Sequence, residues 1–175
     1  MQKRSVTILG ATGSIGRQAA EVIERRPDRF RVEALAAAGS RPAELVSQIA
    51  RLRPAVVALP NDDAAAAVRQ AAAAAGVAWP GGLKTVVGPS AAAQAAAIGS
   101  DVVLNGITGA AGLAPTLAAL AAGSTLALAN KESLVIGGAL VTGAVRREDQ
   151  LVPVDSDIRP SPNACGPGGR ARSTA

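Results

Sequence analysis

Short apolar stretches alternate with longer segments of helical spacing along most of the chain. The apolar stretches, which predict strands, are residues 5–9, 31–37, 55–59, 85–87, 101–104, 125–129 and 151–154. The segments between them, which predict helices, are residues 15–26, 42–51, 62–75, 90–98, 113–121 and 133–146. The first helix is expected to bury one face made of Ile15, Ala19, Val22 and Ile23. Ser90 is expected to cap the fourth helix, and Gly137-Gly138 to weaken the last one.

The order of these elements indicates the fold class. Repeated β-α-β units with continuously apolar strands predict a parallel sheet that is covered by helices on both faces. We therefore expect an α/β fold with a doubly wound, mostly parallel, Rossmann-like sheet. Ligands of such sheets bind at the carboxyl ends of the strands.

Composition narrows the class of protein. The 175 residues suggest one domain, whose core must consist of Val, Ile, Leu and Ala because Phe30 and Trp79 are the only aromatic residues. A single cysteine, Cys165, excludes an internal disulfide framework. The sequence has neither the ~18-residue apolar run of a membrane span nor a signal peptide. We expect a cytoplasmic protein without a membrane partner.

The positive charge does not indicate a nucleic-acid partner. The formal net charge is +5, but three arginines, at positions 159, 170 and 172, follow the last acidic residue. No basic stripe with interleaved aromatic residues is present, as single-strand binding would need. We therefore expect no nucleic-acid binding.

The first predicted strand is followed by a glycine-rich turn, residues 10–16, with the spacing G-x-x-G-x-x-G. Gly10 permits a tight turn, Gly13 lets the backbone approach a pyrophosphate, and Gly16 allows close packing of the helix. The helix N-terminus offers free N–H groups to phosphates, and the Thr12 and Ser14 hydroxyls add donors. The position between strand and helix predicts a dinucleotide site; a tight turn in another α/β fold is the alternative.

The end of the second predicted strand favours NADPH over NADH. NAD-binding folds place an acidic residue there for the ribose 2′-hydroxyl, but Glu33 lies several residues upstream. Ser40 and Arg41 instead suit a 2′-phosphate, through a hydroxyl and a guanidinium. The alternative is that Arg41 is only a solvated surface charge.

Three later segments carry further polar chemistry. Residues 105–113 form a second glycine-containing turn before a helix, and residues 130–133 place Asn, Lys, Glu and Ser after the next strand. Helix capping is the alternative role of Glu132-Ser133. Asp155 and Asp157, spaced i and i+2 in an extended segment, share a face and are able to hold a divalent cation.

Together these segments, spread over residues 5–156, closely resemble the 1-deoxy-D-xylulose 5-phosphate reductoisomerase family. The resemblance implies an oxidoreductase that depends on NADPH and on Mn²⁺ or Mg²⁺. Its substrate is a sugar phosphate, 1-deoxy-D-xylulose 5-phosphate, which it rearranges and reduces to 2-C-methyl-D-erythritol 4-phosphate in non-mevalonate isoprenoid synthesis. The full-length family is expected to form homodimers.

Site residues follow from the resemblance, position by position. It implies NADPH contacts at Thr12, Gly13, Ser14, Ile15, Gly39, Ser40, Arg41, Asn130 and Glu132. It implies substrate contacts at Lys131 and Ser156, and metal ligands at Asp155 and Asp157. Position 157 holds a Glu in the family, so Asp157 is one methylene shorter there.

The sequence after Ser156 departs from the family. The family continues with Asp-Ser-Glu-His-Ser-Ala and further catalytic and C-terminal domains, whereas residues 157–175 have no apolar period. Shifted by one base, the codons of residues 157–166 permit His-Ser-Ala-Leu-Ala-Gln-Cys-Leu-Arg. We therefore expect an NADPH-binding domain at 1–156 and a frameshifted, disordered tail at 157–175. A genuinely divergent tail is the alternative.

Because the catalytic domains are not recognised in this sequence, no complete catalytic set is expected, and we expect this chain to be inactive alone. A stand-alone NADP(H)-binding or regulatory module is the second hypothesis. A different NADP-dependent semialdehyde or sugar-phosphate dehydrogenase is the third. It would need a catalytic Cys or His, but the chain has no His, and its one Cys lies in the tail.

Overall fold

Strands and helices alternate along the chain in a computed structural model, which describes residues 2–129 and 131–154, with the backbone alone for 131–136. The strands are β1 (Arg4–Leu9), β2 (Phe30–Ala36), β3 (Val56–Leu59), β4 (Lys84–Val87), β5 (Val102–Asn105), β6 (Thr125–Leu128) and β7 (Leu151–Pro153). The helices are α1 (Ser14–Glu24), α2 (Pro42–Leu52), α3 (Asp62–Ala74), α4 (Ala91–Ala96), α5 (Leu113–Ala121) and α6 (Lys131–Ala144). Short 3-10 turns span Ala110–Gly112 and Glu148–Gln150. These elements match the predicted ones to within a few residues at each boundary.

The described strands form one parallel sheet in the order β4-β3-β2-β1-β5-β6-β7. The predicted doubly wound α/β fold is therefore confirmed. The order reverses between β1 and β5, where Leu9 is level with Ala36 of β2 on one side and with Asn105 of β5 on the other. The carboxyl ends of the central strands thus lie side by side at one edge of the sheet.

Each face of the sheet carries its own hydrophobic core. On one face, Ile8 and Leu35 pack with Leu45, Ile49 and Val68 of the helices α2 and α3. On the other face, Leu9 and Leu126 of the strands pack with Ala95, Leu120 and Val141 of the helices α4, α5 and α6. Successive residues of a strand point to opposite faces, which is why Ile8 and Leu9 belong to different cores. Among the described residues, no helix is long and apolar enough to cross a membrane.

The predicted buried face of α1 is wrong for two residues. Ile15 and Val22 are 36% and 56% exposed, whereas the buried residues are Gly16, Ala20 and Ile23. A Cβ atom on Gly16 would collide with the carbonyl oxygens of Gly10 and Ala11. The helix therefore packs closely through its glycine against the loop that follows β1, and this contact rotates the buried face away from Ile15.

The expected cap of α4 is wrong, whereas the expected weakening of α6 by its glycines stays a prediction. Ser90 makes no side-chain capping bond to α4; its hydroxyl accepts a hydrogen bond from Gln94 Nε2 at 2.9 Å. Helix α6 continues through Gly137-Gly138, and a Cβ on Gly137 would overlap the side chain of Leu113. Gly137 thus allows α6 to approach the start of α5.

Candidate functional site

A cavity of about 560 Å³ lies at the carboxyl ends of the strands, around the position where the strand order reverses. Its walls come from the glycine turn after β1, the end of β2 and the turns after β3, β4 and β5. Ala129, directly after β6, completes the lining. This is the place where doubly wound sheets bind ligands, as the sequence predicted.

Residues 10–16, called the phosphate loop below, connect β1 to α1 in a tightly bonded turn. Gly10 has φ +78°, and the N–H groups of Gly10 and Ala11 both donate to the Ala36 carbonyl at 2.9 Å. The Gly13 N–H donates to the Gly10 carbonyl at 2.9 Å. The loop is therefore fixed to β2 as well as to its own strand.

The N-terminus of α1 faces this cavity, and its first turn has no acidic side chain that would compete with a bound anion. Ser14 and Ile15 of the first turn line the cavity. Gly13 at the N-cap makes no side-chain capping bond, and the first turn contains no acidic residue. The first N–H groups of a helix have no partner within the helix, and the helix dipole is positive there. The arrangement suits a bound phosphate or pyrophosphate group.

A second loop, residues 106–112, lies against the phosphate loop. The Gly106 N–H donates to the Leu9 carbonyl at 2.9 Å, and a Cβ on Gly10 would lie 2.9 Å from the Gly106 carbonyl carbon. The buried Asn105 side chain holds this loop: its Nδ2 donates to the Gly112 carbonyl and to Thr116 Oγ1, both at 2.9 Å. Its Oδ1 accepts from the Ile107 N–H at 3.1 Å. The two loops therefore form one connected wall.

The charge around the cavity is positive. Arg41 is the only charged residue among the described lining residues, and Ser40 lies beside it. Arg41 Nη1 is 3.5 Å from the Thr12 carbonyl oxygen, to which it donates. Glu33 does not line the cavity and instead pairs with Arg31. The carboxylate that would favour a ribose 2′-hydroxyl is thus missing from the described lining.

Gly39 explains how Ser40 and Arg41 reach this position. Its φ is +84°, and a Cβ atom there would lie 2.5 Å from the Cβ of Ala64 in α3. A left-handed backbone is costly for residues with a Cβ atom. Only glycine therefore fits this turn without displacing α3.

The structure brings together most of the predicted cofactor residues. The cavity is lined by Thr12, Gly13, Ser14, Ile15, Ser40 and Arg41, and Gly39 precedes the last two. Lys131 and Glu132 begin α6, directly beyond the end of β6, but their side chains are not described. Asn130, Asp155, Ser156 and Asp157 lie outside the described residues. The contacts assigned to all of these residues stay predictions.

The metal site also stays a prediction. Among the side chains that the structure describes, those of residues 2–129 and 137–154, no group of three or more His, Cys, Asp or Glu is placed to hold a metal. The two predicted ligands, Asp155 and Asp157, are beyond that range.

Sequence reasoning did not assign a role to two residues that shape this site, Gln48 and Asn105, although it named the segment that begins at Asn105. Gln48 is fully buried, and its Nε2 donates to the Ala11 carbonyl at 2.8 Å. A sequence signal was available for each. Gln48 shares the apolar face of α2 with Leu45 and Ile49, and Asn105 ends a buried strand. A polar residue in such a position must find a hydrogen-bond partner.

Comparison with known proteins gives one consistent result. A family model described as 1-deoxy-D-xylulose 5-phosphate reductoisomerase matches residues 6–138. Curated proteins of that name from Beutenbergia cavernae and Streptomyces coelicolor are 54% and 50% identical to this chain over 176 and 171 aligned residues. These matches cover 98% and 96% of this chain, but only 42% and 40% of the relatives. The chain thus spans about 40% of their length.

Solved structures agree with this result. A reductoisomerase from Zymomonas mobilis in complex with NADPH has a TM-score of 0.77 at 39% identity, covering 89% of this chain and 40% of that one. A DOX-P reductoisomerase in complex with magnesium has a TM-score of 0.77 at 34% identity, and the match covers 89% of this chain and 38% of that one. A DOX-P reductoisomerase in complex with NADPH, fosmidomycin and magnesium has a TM-score of 0.75 at 35% identity, and the match covers 87% of this chain and 36% of that one.

Proposed function

Because the chain belongs to the 1-deoxy-D-xylulose 5-phosphate reductoisomerase family, we propose that residues 1–156 form the NADPH-binding domain of such an enzyme. The supporting observation is the cavity at the reversal of strand order. It combines an uncapped helix N-terminus with one arginine, and its described lining contains no carboxylate.

The lining residues fit the chemistry of NADPH. The first turn of α1 suits the pyrophosphate, because its N–H groups lack partners within the helix. Ser40 and Arg41 suit the ribose 2′-phosphate, since a guanidinium forms strong charge-assisted bonds to phosphate oxygens. When bound, NADPH supplies the hydride for the reduction. This part of the chain binds and orients the cofactor.

The remaining assignments rest on the sequence motifs. Asn130 and Glu132 are proposed to orient the cofactor, and Lys131 and Ser156 to contact the sugar phosphate. Asp155 and Asp157 are proposed to hold Mn²⁺ or Mg²⁺, because paired carboxylates suit hard divalent cations. The metal would polarise the oxygens of the substrate during rearrangement and reduction to 2-C-methyl-D-erythritol 4-phosphate.

A titration tests the cofactor assignment. The purified 175-residue chain is titrated calorimetrically with NADPH and, separately, with NADH. Charge-assisted hydrogen bonds to the 2′-phosphate should make NADPH bind roughly 10- to 100-fold more tightly. Equal or tighter binding of NADH would overturn the preference, and no binding of either nucleotide would overturn the proposed function.

Catalysis by this polypeptide alone is not expected, because it spans about 40% of the length of its relatives. An assay with 1-deoxy-D-xylulose 5-phosphate, NADPH and Mn²⁺ should show no oxidation of NADPH above the rate without protein. The intact reductoisomerase of Streptomyces coelicolor serves as the positive control. Turnover by the 175-residue chain would contradict the expectation.

A further inference from the structure

We propose that Gln48 is a positioning residue that holds the phosphate loop in the conformation that binds the cofactor pyrophosphate. The identity of the ligand rests on the proposed function, whereas the effect on the loop is a property of the chain itself. Gln48 does not line the cavity, so it acts through the loop and not by touching the cofactor.

The contact is buried and joins distant parts of the chain. Gln48 and Ala11 are each 0% exposed, and Gln48 Nε2 donates to the Ala11 carbonyl oxygen at 2.8 Å across 37 residues of sequence. Leu45, Val46 and Ile49 surround Gln48 in sequence and are themselves buried. This packing fixes the side chain and limits its motion.

Both backbone groups of Ala11 are therefore held from outside the loop. Its N–H donates to the Ala36 carbonyl of β2, and its carbonyl accepts from Gln48 of α2. The next carbonyl, of Thr12, accepts from Arg41 at the N-cap of the same helix. Helix α2 thus contacts two successive carbonyls of the phosphate loop.

Holding these carbonyls determines where the N–H groups point. The C=O and N–H of a trans peptide point in opposite directions. A carbonyl of Ala11 that points to Gln48 therefore turns the N–H of Thr12 away from α2. Thr12 lines the cavity and Gln48 does not. The hydrogen bond between Gln48 and Ala11 therefore fixes the orientation in which the loop faces the ligand.

Stability alone does not account for a glutamine at this position. Gln48 Oε1 is buried and has no hydrogen-bond partner among the described residues. Burying an unpartnered acceptor is unfavourable, and the rest of this helix face is apolar. The benefit that we assign to the amide is the bond that its Nε2 makes to Ala11.

A matched pair of variants tests the proposal. Gln48→Met keeps the length of the side chain and removes the donor. Gln150→Met is the control, because Gln150 is also 0% exposed and its Nε2 also donates to a carbonyl, that of Leu120, at 2.8 Å. Gln150 does not line the cavity, and its described hydrogen bonds go to Arg146 and Leu120, outside the phosphate loop.

Two readouts are measured on the 175-residue chain. The first is hydrogen exchange of the loop amides without ligand, and the second is calorimetric titration with NADPH and NADH. In Gln48→Met, loop exchange should accelerate and both nucleotides should bind about tenfold more weakly, as expected for loss of one hydrogen bond. The ratio of the two affinities should not change, because the pyrophosphate is common to both. Gln150→Met should leave loop exchange and affinities at wild-type values.

The outcomes separate this proposal from the proposed function. Loop exchange in Gln48→Met that is no faster than in Gln150→Met would overturn the role of Gln48. Failure of the wild-type chain to bind NADPH would overturn the proposed function, and loop exchange would still decide whether Gln48 orders the loop. Gln48→Leu, which keeps the helix face apolar, replaces Gln48→Met if that variant does not fold.

Discussion

At the scale of single residues, the cavity is made mostly of backbone groups and small side chains around one cation. The phosphate loop contributes glycines and N–H groups, and Arg41 contributes the positive charge. Gly10 and Gly39 adopt positive φ at points where another segment comes close: Gly106 lies against Gly10, and Ala64 against Gly39. Substitutions at these positions therefore have separable effects on binding and on stability.

Replacing Arg41 should change cofactor choice. Arg41→Gln removes the guanidinium proposed to bind the 2′-phosphate, so NADPH should bind roughly 10- to 100-fold more weakly while NADH binding changes little. Calorimetric titration with both nucleotides measures this. Arg25→Gln is the control, since it removes the same charge from the opposite end of α1. Equal losses for NADPH and NADH would contradict the assigned role.

Replacing Gly39 should destabilise the fold through two separate causes. Gly39→Ala introduces a Cβ atom at a left-handed backbone conformation, which should lower the free energy of unfolding by about 1–2 kcal/mol. The contact of this Cβ with Ala64 should lower it by about 1–3 kcal/mol more. Gly76→Ala is the matched control, because Gly76 has φ +64° and no atom within 4 Å of its built Cβ. Urea unfolding should show a larger loss for Gly39→Ala. Equal losses would mean that α3 moves aside at little cost.

At the scale of elements, the strands on either side of the reversal, β1 and β5, are joined at both ends. At the carboxyl ends, the Gly106 N–H donates to the Leu9 carbonyl. At the amino ends, the N–H and hydroxyl of Ser5 donate to Asp101 Oδ2 at 2.7 and 2.8 Å, and the Asp101 N–H donates to Ser5 Oγ at 2.9 Å. The buried hydroxyls of Thr7 and Ser100 are 2.7 Å apart and share a hydrogen bond. These contacts keep the wall of the cavity in register.

The link between Ser5 and Asp101 should make stability depend on pH. The hydrogen bonds from the Ser5 N–H and hydroxyl hold the pKa of Asp101 below its ordinary value of 3.8. The unfolded chain therefore binds the proton more readily, so this stabilisation is present above pH 3.8 and is lost as the pH falls through the lower, folded pKa.

Asp101→Asn tests this expectation. The free energy of unfolding of the wild type should exceed that of Asp101→Asn above the ordinary pKa, and the difference should shrink in acid. Urea unfolding at a series of pH values measures it. Asp28→Asn, which removes the same charge from the turn before β2, serves as the control. A difference independent of pH would show that the ionised carboxylate does not contribute.

At the scale of the whole molecule, the described residues form one sheet with a core on each face. The cavity is built from segments that follow strands of both halves, before and after the reversal of strand order. Binding there should therefore stabilise both halves together. The match to the family model extends over residues 6–138 and so includes strands of both halves.

Ligand binding should be visible from a remote probe. Trp79 is the only tryptophan of the chain and does not line the cavity; it packs against one core and stacks with Arg69 at 5.6 Å. If the fold unfolds in one transition, NADP⁺ at 100 times its Kd should stabilise it by about 2.7 kcal/mol. Thermal unfolding followed by Trp79 fluorescence measures this, with NAD⁺ at equal concentration as the control. No shift of the midpoint, despite binding seen by calorimetry, would indicate that the halves unfold separately.

Much of the fold was predictable from the sequence, and so was the place of the site. The alternation of apolar stretches and helical segments predicted the parallel sheet, and the glycine turn at 10–16 predicted where the cavity lies. The buried face of α1 was predicted incorrectly, because Gly16 contacts the phosphate loop and rotates the helix. The spacing of hydrophobic residues along the chain does not predict that contact.

The sequence by itself determined the fold class, the phosphate loop and the family, because local periodicity encodes burial and short motifs encode turn geometry. The tertiary structure decided which groups hold those motifs in place. Gln48 meets Ala11 across 37 residues, and Ser5 meets Asp101 across 96. Such contacts arise only when α2 packs on the sheet and when β1 pairs with β5, so no local pattern along the chain reports them.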